Sequence, residues 1–220
     1  MIEFDNLSKS YRTDGGARKF VLRPCTFKFP SNQVVGILGR NGAGKSTLLR
    51  IIAGIQDPDG GRVIRHGSVS FPIGFSGSFH QDLTGAQNTR FVARIYGADT
   101  DALLAYVDDF TELGDFLHMP VRTYSSGMKS RLSFAVSMGL PFDVYLVDEV
   151  TSVGDARFKK KAAAVFRHKI RGSTAFMVSH SLNQVRQLCS AAVVLEQGNL
   201  TFFDDVEAAI FQHERNMLKS

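Results

Sequence analysis

The chain is poor in the features that would each announce a class of protein. Only two cysteines occur, Cys25 and Cys189, far apart and outside any C-x-x-C pair. Neither a disulfide framework nor a zinc site is therefore indicated, and both are expected to be small, reduced hydrophobes. No apolar run approaches the roughly 18–20 residues that a membrane-spanning helix needs. The opening residues Met1-Ile2-Glu3-Phe4-Asp5-Asn6 lack the basic and apolar stretches of a secretion signal, which points to a chain that stays in the cytoplasm. Repeats, low-complexity tracts and Pro/Ser-rich linkers are also missing, so one compact unit is expected. Neither sign of charge dominates strongly. With 26 basic and 21 acidic residues the chain carries +5, which suits a phosphate-rich ligand, an acidic membrane surface or nucleic acid and selects none of them.

What is present is the material of a core. The 220 residues amount to about 1.5 domains at roughly 150 residues each. A hydrophobic share of 44%, with 18 phenylalanines and five tyrosines, excludes disorder, collagen and coiled coil. Short apolar runs at 34–38, 144–147, 175–178 and 191–195 read as strands buried on both faces, the mark of a mostly parallel sheet. Helical spacing separates them, for example Leu48, Leu49, Ile51 and Ile52, then Phe158, Ala162, Val165 and Phe166. The alternation predicts an α/β chain. Residues 2–35 and 62–71 look like shorter strands of alternating character. Residues 84–139 are almost wholly helical in pattern, beginning at a capping box, Thr84-Gly85-Ala86-Gln87.

The strongest motif is Gly39-Arg40-Asn41-Gly42-Ala43-Gly44-Lys45-Ser46, a match to G-x-x-x-x-G-K-[ST] between a predicted strand and a predicted helix. Glycines at these positions let backbone N–H groups converge on phosphate oxygens, where side chains would block the approach. Lys45 is then placed to reach the β- and γ-phosphates, and the helix beginning near it aims its positive end at the same anion. Ser46 offers a hydroxyl to Mg²⁺, and Thr47 is a second hydroxyl nearby. A second polar group closes the apolar run at 144–147. There Asp148 is the expected Mg²⁺ partner and Glu149 the candidate to polarise an attacking water, on a strand expected to lie beside the one that feeds the loop. His180 ends a further run and is placed to contact the γ-phosphate or Glu149. Three strands thus deliver polar groups to the sheet edge where open α/β sheets bind ligands. The fold class predicted is α/β: a P-loop NTPase core of mostly parallel sheet, with an antiparallel β region and an inserted helical lobe. Its boundaries are expected at about 1–83 and 140–220 for the core and 84–139 for the lobe, within one domain.

At this point the residues resemble the nucleotide-binding subunit of ABC transporters. Beyond the phosphate loop and Asp148-Glu149, the discriminating piece is Tyr124-Ser125-Ser126-Gly127-Met128-Lys129-Ser130-Arg131-Leu132, which resembles the family signature Leu-Ser-Gly-Gly-Gln. Read from the residues alone, it puts a hydroxyl and backbone N–H groups at a helix N-terminus, a second anion receptor. The resemblance implies that Ser125, Ser126, Gly127 and Met128 serve the nucleotide of a partner subunit, so that two copies close head-to-tail around two ATP molecules. It also implies that Gly39, Arg40, Asn41, Gly42, Ala43, Gly44, Lys45, Ser46 and Thr47 bind ATP, that Tyr11 stacks on adenine, that Asp155 bridges the two subunits, and that Glu149, His180 and Lys45 are catalytic. Two signature positions differ, Ser126 for glycine and Met128 for glutamine, and both leave the backbone donors in place. The family's Q-loop glutamine falls on Phe75, with Gln81 six positions later. Either coupling and Mg²⁺ contact are handled differently, or Gln81 substitutes.

Within that family the motifs, including Asp148-Glu149-Val150-Thr151-Ser152-Val153-Gly154-Asp155-Ala156-Arg157-Phe158 and Val178-Ser179-His180-Ser181-Leu182-Asn183, are similar to those of capsular polysaccharide exporters. The resemblance implies an ATP-hydrolysing subunit with ATP and Mg²⁺, working as a homodimer at the cytoplasmic face of the inner membrane through a membrane permease. The polysaccharide would not be bound directly, nor nucleic acid. Residues 71–84 with Phe91 and Tyr96 are the candidates for docking the permease. The alternative is a soluble ABC ATPase acting on nucleic acid or ribosomes. Lys159-Lys160-Lys161 is expected to be a solvated helix face and not a nucleic-acid patch.

Overall fold

The computed structural model describes residues 1–13, 16–73, 79–148 and 156–218. The chain divides into two compact units, one comprising Met1–Pro72, Phe142–Glu149 and Ile170–Ser220, the other Ile73–Pro141 and Val150–Lys169.

The first unit holds both sheets. β1 (Ile2–Arg12), β2 (Arg18–Lys28) and β4 (Gly60–Arg65) form an antiparallel sheet in the order β2-β1-β4. Simple alternation along β1 would bury residues 2, 4 and 6. Asn6 instead takes a left-handed φ of 48° and the register with β2 shifts between Phe4 and Leu7, so Ile2, Phe4 and Leu7 all go inward. The second sheet contains β3 (Val34–Leu38), β5 (Val144–Asp148), β6 (Thr174–Val178), β7 (Ala191–Glu196) and β8 (Asn199–Phe203), ordered β5-β6-β3-β7-β8. Its first four strands are parallel, and β8 turns back antiparallel to β7. β3 and β6 are buried at every residue, which accounts for their unbroken apolar runs.

This order corrects one expectation. The strand carrying Asp148 is not beside the strand that feeds the phosphate loop, because β6 lies between them. Local pattern reads how deeply a strand is buried. The order of parallel strands is set by their crossovers, and no single run encodes it.

α1 (Lys45–Ala53) follows β3 and buries Leu48, Leu49, Ile51 and Ile52. They join one cluster with Phe4 and Leu7 of β1 and Val35 and Ile37 of β3, so the helix that opens at the phosphate loop is anchored to both sheets. Phe29 adds edge-on contacts to Phe4 at 5.0 Å and Phe176 at 4.8 Å between ring centroids. Two further helices complete this unit, α6 (Leu182–Leu188) and α7 (Val206–Leu218).

The second unit is helical: α2 (Gly85–Ile95), α3 (Thr100–Thr111), α4 (Ser126–Gly139) and all but the last residue of α5 (Ala156–Ile170), with 3₁₀ turns at Gly114–His118 and Val121–Thr123. The Thr84 capping box forms as predicted. Gln87 N–H donates to Thr84 Oγ1 at 3.1 Å, and Thr84 N–H donates to Gln87 Oε1 at 2.9 Å. Lys161 departs from the expected solvated face. Its Nζ donates to Glu112 Oε1 at 2.9 Å and to the carbonyls of Phe110 and Asp109, and it stands 4.9 Å from the centre of the Phe110 ring. It thus caps the C-terminal end of α3, where a cation is favoured.

Candidate functional site

The phosphate loop leaves the C-terminal end of β3 and enters α1 at Gly44, whose φ of 104° is a left-handed conformation that suits glycine. A Cβ here would also collide with Val21 Cγ1, and one at Gly39 would lie 2.6 Å from the Leu195 carbonyl oxygen. Space and backbone both require glycine. No side chain caps the N-terminus of α1, and no acidic residue stands in its first turn. An uncapped helix start of this kind offers backbone N–H groups to an anion, which is the donor set a triphosphate needs. Lys45 Nζ folds back over the loop, donating to Gly39 O at 2.8 Å and Arg40 O at 3.0 Å.

A cleft of about 500 Å³ opens at this sheet edge, lined by Gly39, Arg40, Asn41, Lys45 and His180. His180 follows β6, the strand between β3 and β5, and Asp148 ends β5 at the level of Val178, which in turn neighbours Ile37 of β3. Lys45, Ser46, His180 and Asp148 are therefore carried to one edge by three successive strands. Two strand spacings of roughly 4.8 Å separate β5 from β3. The oxygen donors Ser46 and Asp148 are hard ligands of the kind Mg²⁺ takes. Among the described residues no group of three or more His, Cys, Asp or Glu side chains forms a metal cage. Glu149, Asp155 and Phe75 lie outside the described residues.

Other residues of this cleft could not be read from the sequence. α7 contributes His213, Glu214 and Met217, far along the chain from the loop they face. Burial, reinforced by the Lys45 charge, pushes the His213 imidazole below its ordinary pKa, while Glu196 and Glu214 oppose this. His213 Nδ1 and Glu196 Oε2 are buried with no hydrogen-bond partner among the described residues. No local pattern marks them, since α7 reads as an ordinary amphipathic helix and Glu196 as the polar end of an apolar strand.

Tyr11 closes the list for the first unit. It stands near the end of β1 with 43% of its surface exposed, and its hydroxyl accepts a hydrogen bond from Gln56 Nε2.

In the second unit, Ser125 is the N-cap of α4, and its Oγ accepts from Met128 N–H at 3.2 Å. Ser126 is exposed, and a Cβ at Gly127 would meet only Ser125 Oγ, at 3.8 Å, so the helix start is open to solvent. Gln81 accepts from Lys129 Nζ of the same helix at 3.2 Å. Phe91, Ile95 and Tyr96 on α2 and its C-cap are exposed large apolar side chains.

The profile of the ABC transporter family matches residues 22–152, from β2 through the phosphate loop and α4 to just beyond β5. The chain belongs to the ABC transporter family. This ABC cassette is 45% identical over 217 residues to the polysialic acid transport ATP-binding protein KpsT of Escherichia coli, covering 97% of this chain and 96% of that one. It is 46% identical to the capsule polysaccharide export ATP-binding protein CtrD of Neisseria meningitidis, covering 95% and 96%. Among solved structures, the dimeric ATP-binding cassette MJ0796 bound to ADP and Pi superposes with a TM-score of 0.76 at 19% identity, covering 91% and 96%. The cassette fold is the shared feature there. This ABC cassette binds and hydrolyses ATP. Among its described residues, no helix is long and apolar enough to cross a membrane.

Proposed function

We propose that this ABC cassette is the ATP-hydrolysing subunit of an exporter of capsular, or related cell-surface, polysaccharide, docked on a membrane permease at the cytoplasmic face of the inner membrane. The observation that carries the reading is the end-to-end identity of about 45% to relatives named for capsule and polysialic acid export. The alternative of action on nucleic acid or ribosomes draws no support from these relatives.

In this reading, gly-rich backbone amides from Gly39 to Gly44 and the start of α1 cradle the phosphates, with Arg40, Asn41 and Ala43 in the loop, while Tyr11 stacks on adenine. Lys45 exchanges its contacts with Gly39 O and Arg40 O for phosphate oxygens. Ser46 and Asp148 would hold Mg²⁺, which supplies charge neutralisation at the β- and γ-phosphates when bound. Glu149 takes the proton of the attacking water, and His180 holds the γ-phosphate end in place. The start of α4, with Ser125, Ser126, Gly127 and Met128, completes the site of a second copy, and Asp155 bridges the two. Permease docking falls to exposed Phe91 and Tyr96 together with the 71–84 segment. The polysaccharide is handled by the permease.

In a capsulated cell lacking this gene, wild-type chain should restore surface polysaccharide. Glu149→Gln should bind ATP as tightly as wild type yet restore nothing, with polysaccharide retained inside. Normal capsule from Glu149→Gln would remove that residue from its role, and normal capsule in the deletion strain would overturn the export function.

A further inference from the structure

Away from the phosphate cradle, the Tyr11 ring is fixed by its hydroxyl and not by burial. Its oxygen accepts from Gln56 Nε2 at 2.5 Å, and hydrogen bonding from Gln56 first and Thr47 second holds the phenol below its ordinary pKa. Lys9 Nζ stands 5.7 Å from the ring centre and is itself tied to Asp59 at 2.8 Å, whose other oxygen accepts from Ser10 N–H and Oγ. Gln56 is equally constrained. Gly54, at φ 77°, turns the chain at the end of α1, and the N–H groups of Ile55 and Gln56 both donate to Arg50 O, at 3.0 and 3.3 Å. Thr47 and Gln56 therefore belong to one rigid piece, α1 with its closing turn, whose other end is the phosphate cradle.

We propose that Gln56 is a positioning residue for the nucleotide base: α1 grips phosphates at its N-terminus and, through Gln56 with Thr47, sets the Tyr11 ring at the height and tilt that stacking on the base requires. This rests on the reading of Tyr11 as the adenine-stacking residue. An exposed aromatic without hydroxyl partners would be ordered only when the base arrives, and that ordering would be charged against affinity. Holding the ring beforehand removes the cost from the binding step. The same helix then fixes the span from triphosphate to base, so the site measures its ligand with a single element.

The test compares ATP with inorganic tripolyphosphate, which has the phosphates and no base, each displacing a fluorescent ATP analogue from the purified chain. Gln56→Leu, close in volume and without a donor, is expected to weaken ATP about 2- to 10-fold, the worth of one hydrogen bond, and to leave tripolyphosphate unchanged. Turnover at saturating ATP should hold while KM rises. Tyr11→Phe should weaken ATP to the same degree, and the double variant should be no worse than either single one. Equal weakening of both ligands by Gln56→Leu, no weakening of ATP, or additive losses in the double variant would each overturn the proposal. Tyr11→Ala separates the two levels: an unchanged ratio of ATP to tripolyphosphate affinity there would refute the stacking role itself and the proposal with it.

Discussion

The starts of α1 and α4, the two anion receptors of the proposed reading, are capped in opposite ways. α1 opens at a glycine in a left-handed conformation, with no side-chain cap. α4 opens at Ser125, whose hydroxyl already accepts from Met128 N–H. Neither has an acidic residue in its first turn, so both keep the positive end of the helix exposed. The difference lies in what holds each helix when no ligand is present. α1 forgoes a cap worth about 1 kcal/mol but buries four aliphatic side chains at about 1.5–3 kcal/mol each, so packing carries it comfortably. α4 packs its later turns, with Leu132 to Met138 buried, while Ser126 is exposed, residues 127–131 are half-buried, and the start depends on the local cap. One helix start has no side-chain cap and is held by packing. The other closes on itself until something replaces the serine's own bond.

Three substitutions sharpen or break this contrast. Gly44→Ala should have the largest effect, because the new Cβ meets both a left-handed φ and Val21, and the loop must move to accept it. ATPase activity should fall more than about 100-fold, on the scale of losing a charge-stabilising donor set. Near-wild-type turnover would mean that the cradle does not need this geometry. Ser125→Ala should be milder and of another kind, costing about 1 kcal/mol of stability, seen in thermal unfolding as a Tm lower by about 2–4 °C. An unchanged Tm would show that the serine is not spent on its own helix, and the contrast would fail.

The smallest effect belongs to His213, which faces the open receptor from α7. Its folded pKa lies below 6.5, so in that window the unfolded chain binds more protons and stability falls as pH drops below about 6.5. His213→Gln should flatten this part of the stability profile below about pH 6.5 without altering it above pH 7.5. A profile as steep as wild type would assign the slope to other groups.

The open receptor was legible in the sequence because its glycines, lysine and serine are contiguous and each residue type answers to one physical demand. So was the Thr84–Gln87 box, whose partners are three residues apart. The order of β5, β6 and β3 was not legible, since equal apolar runs fit any slot in a parallel sheet. Nor were His213, Glu196 and Gln56, which reach the nucleotide region through side chains whose neighbours are set only by tertiary folding. The KM expected to rise in Gln56→Leu is thus a property of the assembled helix and strand, with no signature of its own.

β6 has a consequence for how the cassette can sense its own chemistry. Among the described residues the strand that feeds the phosphate loop and the strand that ends in Asp148 share no hydrogen bond, and β6, the strand followed by His180, pairs with both. A shift of either flank therefore bears on that middle strand. On the proposed role of His180, the imidazole at its tip would be the pointer of a balance, with the phosphate loop in one pan and the carboxylate in the other.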